Sequence, residues 1–477
     1  MLGKNTIQHG IYPVYLYYKD QNVIILAYGI SETKKTDASW VNIHEQTIKE
    51  YFLERFHVKP KRYEESMIFK IYNPANMPSA EILQKDIEEI INRYKYVMQK
   101  QKMDESSHLL FEDKMQYSSL SPLIEVFSPL LVTRFISSLQ TKPFVLLTGL
   151  SGSGKTRLAL TFAQWICEQK SQYCLVPVGA DWINREPLLG YVNALDPTSY
   201  ILPENGALQL IIEANKDENH NKPYFLILDE MNLSHVERYF ADFLSIMESK
   251  QKFQLHSSEE ALNSSGADVK KSYAWPPNLF VIGTVNIDET TYMFSPKVLD
   301  RANVIEFRVE SEDLQAFLEN PVPLTEFGGE GAAFAASFLD NAKAEFTADE
   351  NLKAELLKFF GALKEVGAEF GYRSANEIIK LYDRLGKLDP EMSADDKTDI
   401  GIMQKLLPKL HGSRRKLAKP LTELAKLCLN DVPESEIFSN DGKKVEGLSI
   451  KYPLSFGKIQ RMYQSLIENS FASYAEA

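Results

Sequence analysis

Gly149-Leu150-Ser151-Gly152-Ser153-Gly154-Lys155-Thr156 constrains this 477-residue chain more than any other stretch. The apolar run Phe144 to Leu147 precedes it, and the helix-forming run Arg157 to Ile166 follows. The order is strand, glycine-rich loop, helix, with the G-x-x-x-x-G-K-T spacing intact. Glycines let the backbone turn successive N–H groups inward as an anion-binding nest. The helix that follows points its positive end at the same anion. The expected ligand is the phosphate chain of a nucleoside triphosphate, bound by residues 149–157. Lys155 reaches the β and γ phosphates, Thr156 offers a hydroxyl to Mg²⁺, and Arg157 stands at the helix start.

Around this loop, apolar strands alternate with helices from residue 144 to about 310. They are Tyr173 to Val178, Tyr224 to Leu228, Leu279 to Gly283 and Val304 to Phe307. That alternation predicts an α/β core with a parallel sheet covered on both faces. Residues 118–140 read as helical and lead into the core, and residues 257–272 form a polar insertion. Residues 311–430 are largely helical and suit a lid-like bundle, and an amphipathic helix near Phe456 to Ser473 closes the chain. The domains read as 1–102, a linker at 103–117, a nucleotide-binding core at 118–310, and a helical lid with C-terminal region at 311–477.

The front domain reads as small and α+β. Residues 11–18 and 22–29 flank the polar turn Lys19-Asp20-Gln21 as a β-hairpin, and Met67 to Tyr72 is a further strand. Helical spacing covers 44–57 and 79–102, the second opened by Ser79. Residues 1–102 hold 15 Lys+Arg against 12 Asp+Glu, a balance of +3 in a chain whose net charge is −12. Tyr12, Tyr15, Tyr17, Tyr18, Tyr28 and Trp40 crowd this domain, with Lys34, Lys35, Lys59, Lys61 and Arg62 nearby. Two readings stand: half-buried strand tyrosines, which sheets favour, or rings that stack an extruded base while the cations hold phosphates.

Three cysteines, Cys167, Cys174 and Cys428, are too few and too scattered for a disulfide framework or a zinc site. No apolar run reaches membrane-spanning length, and the first residues carry no apolar signal core. A cytoplasmic protein without a membrane partner is expected. A further basic cluster, Lys409 to Lys416, reads as a solvated face or linker.

Chemistry beyond the loop is carried by three more segments. Tyr224 to Leu228 is an apolar strand ending in Asp229 and Glu230. Strand ends of this kind face the ligand crevice of α/β sheets. Asp229 can hold Mg²⁺ and Glu230 can polarise an attacking water. Asn286 ends the next strand and can orient water without adding negative charge, or else cap a helix or turn. Arg301, just before the strand from Val304, can project toward a neighbouring subunit's γ phosphate or simply make a surface ion pair.

P-loop, Asp-Glu strand, Asn sensor and Arg, in that order, resemble an AAA+ ATPase module. Asp229-Glu230-Met231-Asn232-Leu233-Ser234, Gly283-Thr284-Val285-Asn286 and Phe370-Gly371-Tyr372-Arg373 resemble its McrB branch, the motor of modification-dependent DNA restriction. Residues 10–72, with Gly10 to Tyr18 and Leu26 to Thr33, resemble the MrcB-like N-terminal domain, here shortened. The resemblance implies phosphate binding by Gly149 to Thr156, Mg²⁺ and water handled by Asp229 and Glu230, and Asn286 as sensor. It implies that Arg301 acts from the next subunit of a homo-oligomeric ring. Arg373 either contacts nucleotide from the lid or pairs with Glu369 or Glu377. The family signature Met-Asn-Thr-Ala-Asp-Arg-Ser stands here as Val285-Asn286-Ile287-Asp288-Glu289-Thr290-Thr291, and the family's Arg-Arg-Phe run as Arg301-Ala302-Asn303. McrB-type motors use GTP and most AAA+ relatives ATP; with the signature altered, ATP is the expectation. Outside the motor no acidic-acidic-Lys cluster falls on a predicted sheet, so DNA cutting is expected to need a separate McrC-like nuclease. The rival reading is a protein-remodelling AAA+ chaperone of the MoxR type.

Overall fold

The fold is that of a computed structural model. It describes residues 11–30, 46–91, 115–308 and 326–474, apart from positions 65, 81, 88–89, 250, 288–291, 293, 366, 434–435 and 440, together with 314, 315 and 318. The chain divides into two compact units, Met1–Phe111 and Glu112–Ala477. Met115, at the end of the stretch read as a linker, is buried and donates its N–H to Ser337 Oγ at 2.8 Å. That end of the linker is therefore part of the second unit's core.

In the front unit, β1 (Ile11–Tyr18) and β2 (Val23–Ile30) form the expected antiparallel hairpin, and β3 (Met67–Tyr72) pairs with the other edge of β2. The period-2 alternation of β2 divides its side chains between two faces. Val23, Ile25 and Ala27 pack under α1 (Ile48–Phe56) against Ile48 and Phe52. Leu26 and Tyr28 pack on the other face with Met67, Tyr72 and Ile90. α1 opens with a reciprocal cap, in which Glu50 N–H donates to Thr47 Oγ1 and Thr47 N–H to the Glu50 carboxylate. The helix expected from Ser79 starts at Ala80, and most of its later part lies outside the described residues.

The second unit is built on five parallel strands: β4 (Phe144–Gly149), β5 (Tyr173–Pro177), β6 (Tyr224–Asp229), β7 (Leu279–Asn286) and β8 (Asn303–Phe307). Their spatial order is β8-β4-β7-β6-β5, which places the P-loop strand beside β7 and β8. β4 and β7 are buried along their whole length, the near-continuous apolar pattern of a sheet covered on both faces. Val145 and Leu147 meet α2 (Pro129–Thr141) and α3 (Lys155–Ile166) on one face, while Phe144 and Leu146 join the core on the other. The helix expected over 118–140 is broken. Ser128 caps a fresh start at Pro129 by accepting from Leu131 N–H at 3.3 Å, and the chain bends by 119° there. Among the described residues no single helix is long and apolar enough to cross a membrane.

Beyond β8 the expected helices are α4 (Ala335–Lys343), α5 (Glu350–Lys364), α6 (Tyr372–Leu388), α7 (Ala394–Gly401), α8 (Arg414–Leu427) and α9 (Pro453–Asn469). α9 ends at Ser470, whose left-handed φ of 59° turns the chain into a short strand, Phe471–Ser473, paired with His411–Ser413. The polar insertion is the loop of a hairpin formed by Lys252–Gln254 and Ser272–Ala274.

Candidate nucleotide-binding site

Three strands end at one place. Asn286 pairs in register with Gly149, and Gly283 with Leu228, so the loop after β4, the carboxylates after β6 and the amide ending β7 converge. A cavity of about 250 Å³ lies between them, lined by Ser151 to Arg157 with Asp229, Glu230 and Asn286. Gly152 and Gly154 take left-handed φ values of 73° and 98°, which a side chain would strain. Lys155 is only 4% exposed, and its ammonium donates to the carbonyls of Gly149 at 3.0 Å and Leu150 at 2.6 Å. The Arg157 guanidinium stands 6.0 Å from the Phe127 ring.

The acidic strand end is tied to its neighbours by hydroxyls. Thr156 and Thr284 both donate to Asp229 Oδ1, at 2.6 and 2.7 Å. The Thr284 hydroxyl also accepts the Glu230 N–H at 2.9 Å. That bond holds Glu230 in a left-handed conformation (φ 53°), a costly state for a side-chain-bearing residue that turns it out of the strand path. Asn286 Nδ2 then donates to Glu230 Oε1 at 3.0 Å. Asn232 braces the same corner, donating to the Asn286 carbonyl at 2.8 Å. Thr284 and Asn232 were given no role in the sequence reading. Thr284 stands two residues before Asn286 and so on the same face of β7, and that spacing is the signal that could have found it.

Arg301 and Arg373 are not among the residues lining this cavity. They stand together elsewhere. Glu248, near the end of the helix Ala241–Ser249, places Oε2 3.0 Å from Arg301 Nε, and its Oε1 pairs with Arg373. Arg373 also pairs with Asp300, which takes Lys409 as well. The partners considered from sequence, Glu369 and Glu377, are therefore not those found for Arg373. Glu377 is instead flanked by Lys142 and Lys405, each at 2.5 Å. Burial pushes the Glu377 carboxyl up, but the two ammonium groups outweigh it and hold it below the ordinary glutamate value. Burial drives Lys405 down to about 7 against the pull of Glu377. Lys405 also donates to the Ala302 carbonyl at 2.7 Å. Residues from the helical region after β8 thus grip both sides of the Arg301 loop. Lys409, from the basic cluster read as a solvated face, is half-buried here, and burial lowers it to about 8.

In the front unit, Tyr15 and Tyr17 are exposed, whereas Tyr28 is fully buried and cannot stack on a ligand. A cleft of about 610 Å³ lies between the β1–β2 turn and the loop after α1, lined by Tyr17, Tyr18, Phe52, Lys59, Lys61 and Arg62 among others. Tyr18 donates to the Arg62 carbonyl at 2.9 Å, and Lys61 pairs with Asp20 at 2.9 Å. Lys34, Lys35, Trp40 and the side chain of Tyr12 lie outside the described residues. Cys167 and Cys428 are buried, and burial pushes Cys174 up to about 12. Among the described residues no cluster of three or more His, Cys, Asp or Glu could hold a metal ion.

A parallel sheet with helices on both faces, a Gly-Lys-Thr loop and an Asp-Glu strand end beside it define the P-loop nucleotidase class of fold. Residues 323–471 match a family described as Domain of unknown function (DUF8727). The chain is 26% identical over 288 residues to the Type IV methyl-directed restriction enzyme EcoKMcrB subunit of Escherichia coli (strain K12). That match covers 58% of this chain and 60% of the relative's own length. A crystal structure of a candidate ATPase from Cytophaga hutchinsonii ATCC 33406 is similar with a TM-score of 0.38 at 16% identity, covering 69% of this chain and 91% of that one. The partial match supports a distant likeness to the McrB subunit.

Proposed function

We propose that residues 112–477 form a Mg²⁺-dependent AAA+ nucleoside triphosphatase that prefers ATP to GTP and works as a homo-oligomeric ring. The carrying observation is the hydrogen-bonded line Thr156–Asp229–Thr284–Glu230–Asn286 beside the P-loop cavity. Thr156 and Asp229 present hard oxygen donors a hydrogen bond apart, which fits Mg²⁺. When bound there, the ion supplies positive charge to the β and γ phosphates. Water attacks the γ phosphorus, the bond to the β–γ bridging oxygen breaks, and Glu230 accepts the water's proton while Asn286 fixes the carboxylate's direction. Lys155 and the loop amides hold the phosphates. Arg301 completes the site of the neighbouring subunit, and Arg373, which stands with Arg301 and not at its own P-loop, is assigned to the same shared site.

In this reading the motor drives DNA-associated work together with a separate McrC-like nuclease, and the front unit contacts DNA, modified or not. Support for the latter is the cleft that combines exposed Tyr17 with Lys59, Lys61 and Arg62. The experiment is hydrolysis of ATP and GTP side by side with Mg²⁺, with and without methylated and unmethylated duplex. ATP turnover lost in Lys155→Ala and raised by DNA is the expected result. Turnover raised by an unfolded protein client and not by DNA would favour the remodelling chaperone. Silence toward both triphosphates at associating concentrations would remove the proposal.

A further inference from the structure

We infer that Glu248 is a positioning residue that holds Arg301 and Arg373 side by side for the phosphates of the adjoining subunit. The inference rests on the reading that Arg301 acts across a subunit boundary. Each oxygen of the Glu248 carboxylate takes a different arginine: Oε2 stands 3.0 Å from Arg301 Nε, and Oε1 pairs with Arg373. The arginines come from separate parts of the fold, one from the loop before β8 and the other from the first turn of α6. Two guanidiniums brought this close repel, and a carboxylate between them offsets that repulsion while fixing their spacing. Asp300 and the Lys297 carbonyl occupy further donors, Asp300 through Arg373 and Lys297 through Arg301 at 3.3 Å.

The pair remains reachable from outside. Arg301 is 27% and Arg373 44% exposed, and Glu248 itself is 26% exposed. None of the three lines the chain's own phosphate cavity. A carboxylate that prepares two cations away from their own site has one catalytic use on this reading, which is to present them to another copy. Because Arg373 belongs to the lid and Arg301 to the core, Glu248 also makes that presentation depend on the lid being docked.

The experiment is subunit mixing with the full chain. Glu248→Ala and the shape-conserving Glu248→Gln are each assayed alone and in equal mixture with Lys155→Ala, with Arg301→Ala plus Lys155→Ala in parallel. Nucleotide affinity confirms an intact fold in the variants that keep Lys155, and a thermal melt does so for Lys155→Ala. Either Glu248 variant alone should lose roughly tenfold or more in turnover, as for removal of a transition-state cation, with affinity kept. In the mixture, Lys155→Ala subunits lend intact arginines to the variants' intact P-loops, and turnover per P-loop should recover several-fold above either variant alone. Recovery with Arg301→Ala but not with the Glu248 variants would overturn the role of Glu248 while leaving the shared site standing. No recovery in either mixture would overturn the shared site itself. Parental turnover in both Glu248 variants alone would also sink the inference.

Discussion

Asn286 donates its side-chain amide to Glu230 Oε1 across 3.0 Å, joining the ends of two neighbouring parallel strands. On the proposed mechanism the bond aims the carboxylate at water and adds no charge. Asn286→Ala should lower the turnover number about a hundredfold, the scale seen when one preorganised polar group is removed, and leave nucleotide affinity nearly unchanged. Asn286→Asp should be worse, since it sets a second carboxylate against Glu230. Steady-state kinetics paired with equilibrium nucleotide binding separate the two effects.

Thr284 gives the second prediction. Its single hydroxyl donates to Asp229 and accepts from the Glu230 N–H. Thr284→Val keeps the shape and loses both bonds, leaving the Glu230 N–H in a left-handed turn without that acceptor. The expected cost is about 1–3 kcal/mol of stability, seen as a lower melting temperature, together with reduced turnover. Thr284→Ser should restore most of both.

The parts of the site legible in the sequence were the local ones. The P-loop, the Asp229-Glu230 strand end and the terminal Asn286 are each written within a few residues, because a strand's apolar run announces both its burial and its exit. Partners far apart in the chain were not legible. Arg373 meets Glu248 across 125 residues and Asp300 across 73, whereas helical spacing pointed only to Glu369 and Glu377. The Ser128-Pro129 restart was missed since the apolar spacing continues through it, although proline after serine is a helix-start signal. Tyr28 read like its neighbouring tyrosines, but the alternation of β2 sends it into the core.

Two glycines should answer to opposite signs. A Cβ on Gly149 would stand 2.3 Å from the Phe307 carbonyl oxygen, a backbone atom of the adjoining strand. Gly149→Ala therefore has to push β8 from β4 at the mouth of the phosphate cavity, and about 1–3 kcal/mol of stability should be lost, as in overpacked cores. Gly361 lies in the last turn of α5, still helical, where an added Cβ meets nothing within 4 Å. Gly361→Ala should stabilise by about 0.5–1 kcal/mol through helix propensity. Thermal melts of the two variants against the parent read both signs in one experiment.

Acid should act on the front unit through Asp86. The hydrogen-bonded Lys70 ammonium holds this buried carboxyl below the ordinary aspartate value despite desolvation, and the Tyr72 hydroxyl adds a further bond at 2.8 Å. A carboxylate with a depressed folded value binds its proton more weakly in the folded chain than in the unfolded one. Its contribution is thus complete above the unfolded aspartate value and disappears as the pH falls through the lower folded value. Asp86→Asn removes the charge at every pH. The front unit of the variant should melt below that of the parent at pH 7, and the gap should narrow as the pH drops beneath the ordinary aspartate range, where the parent too becomes neutral. Melting curves of the full chain across that range check the sign. A gap of constant size would show that Asp86 acts through shape and hydrogen bonding and not through its charge.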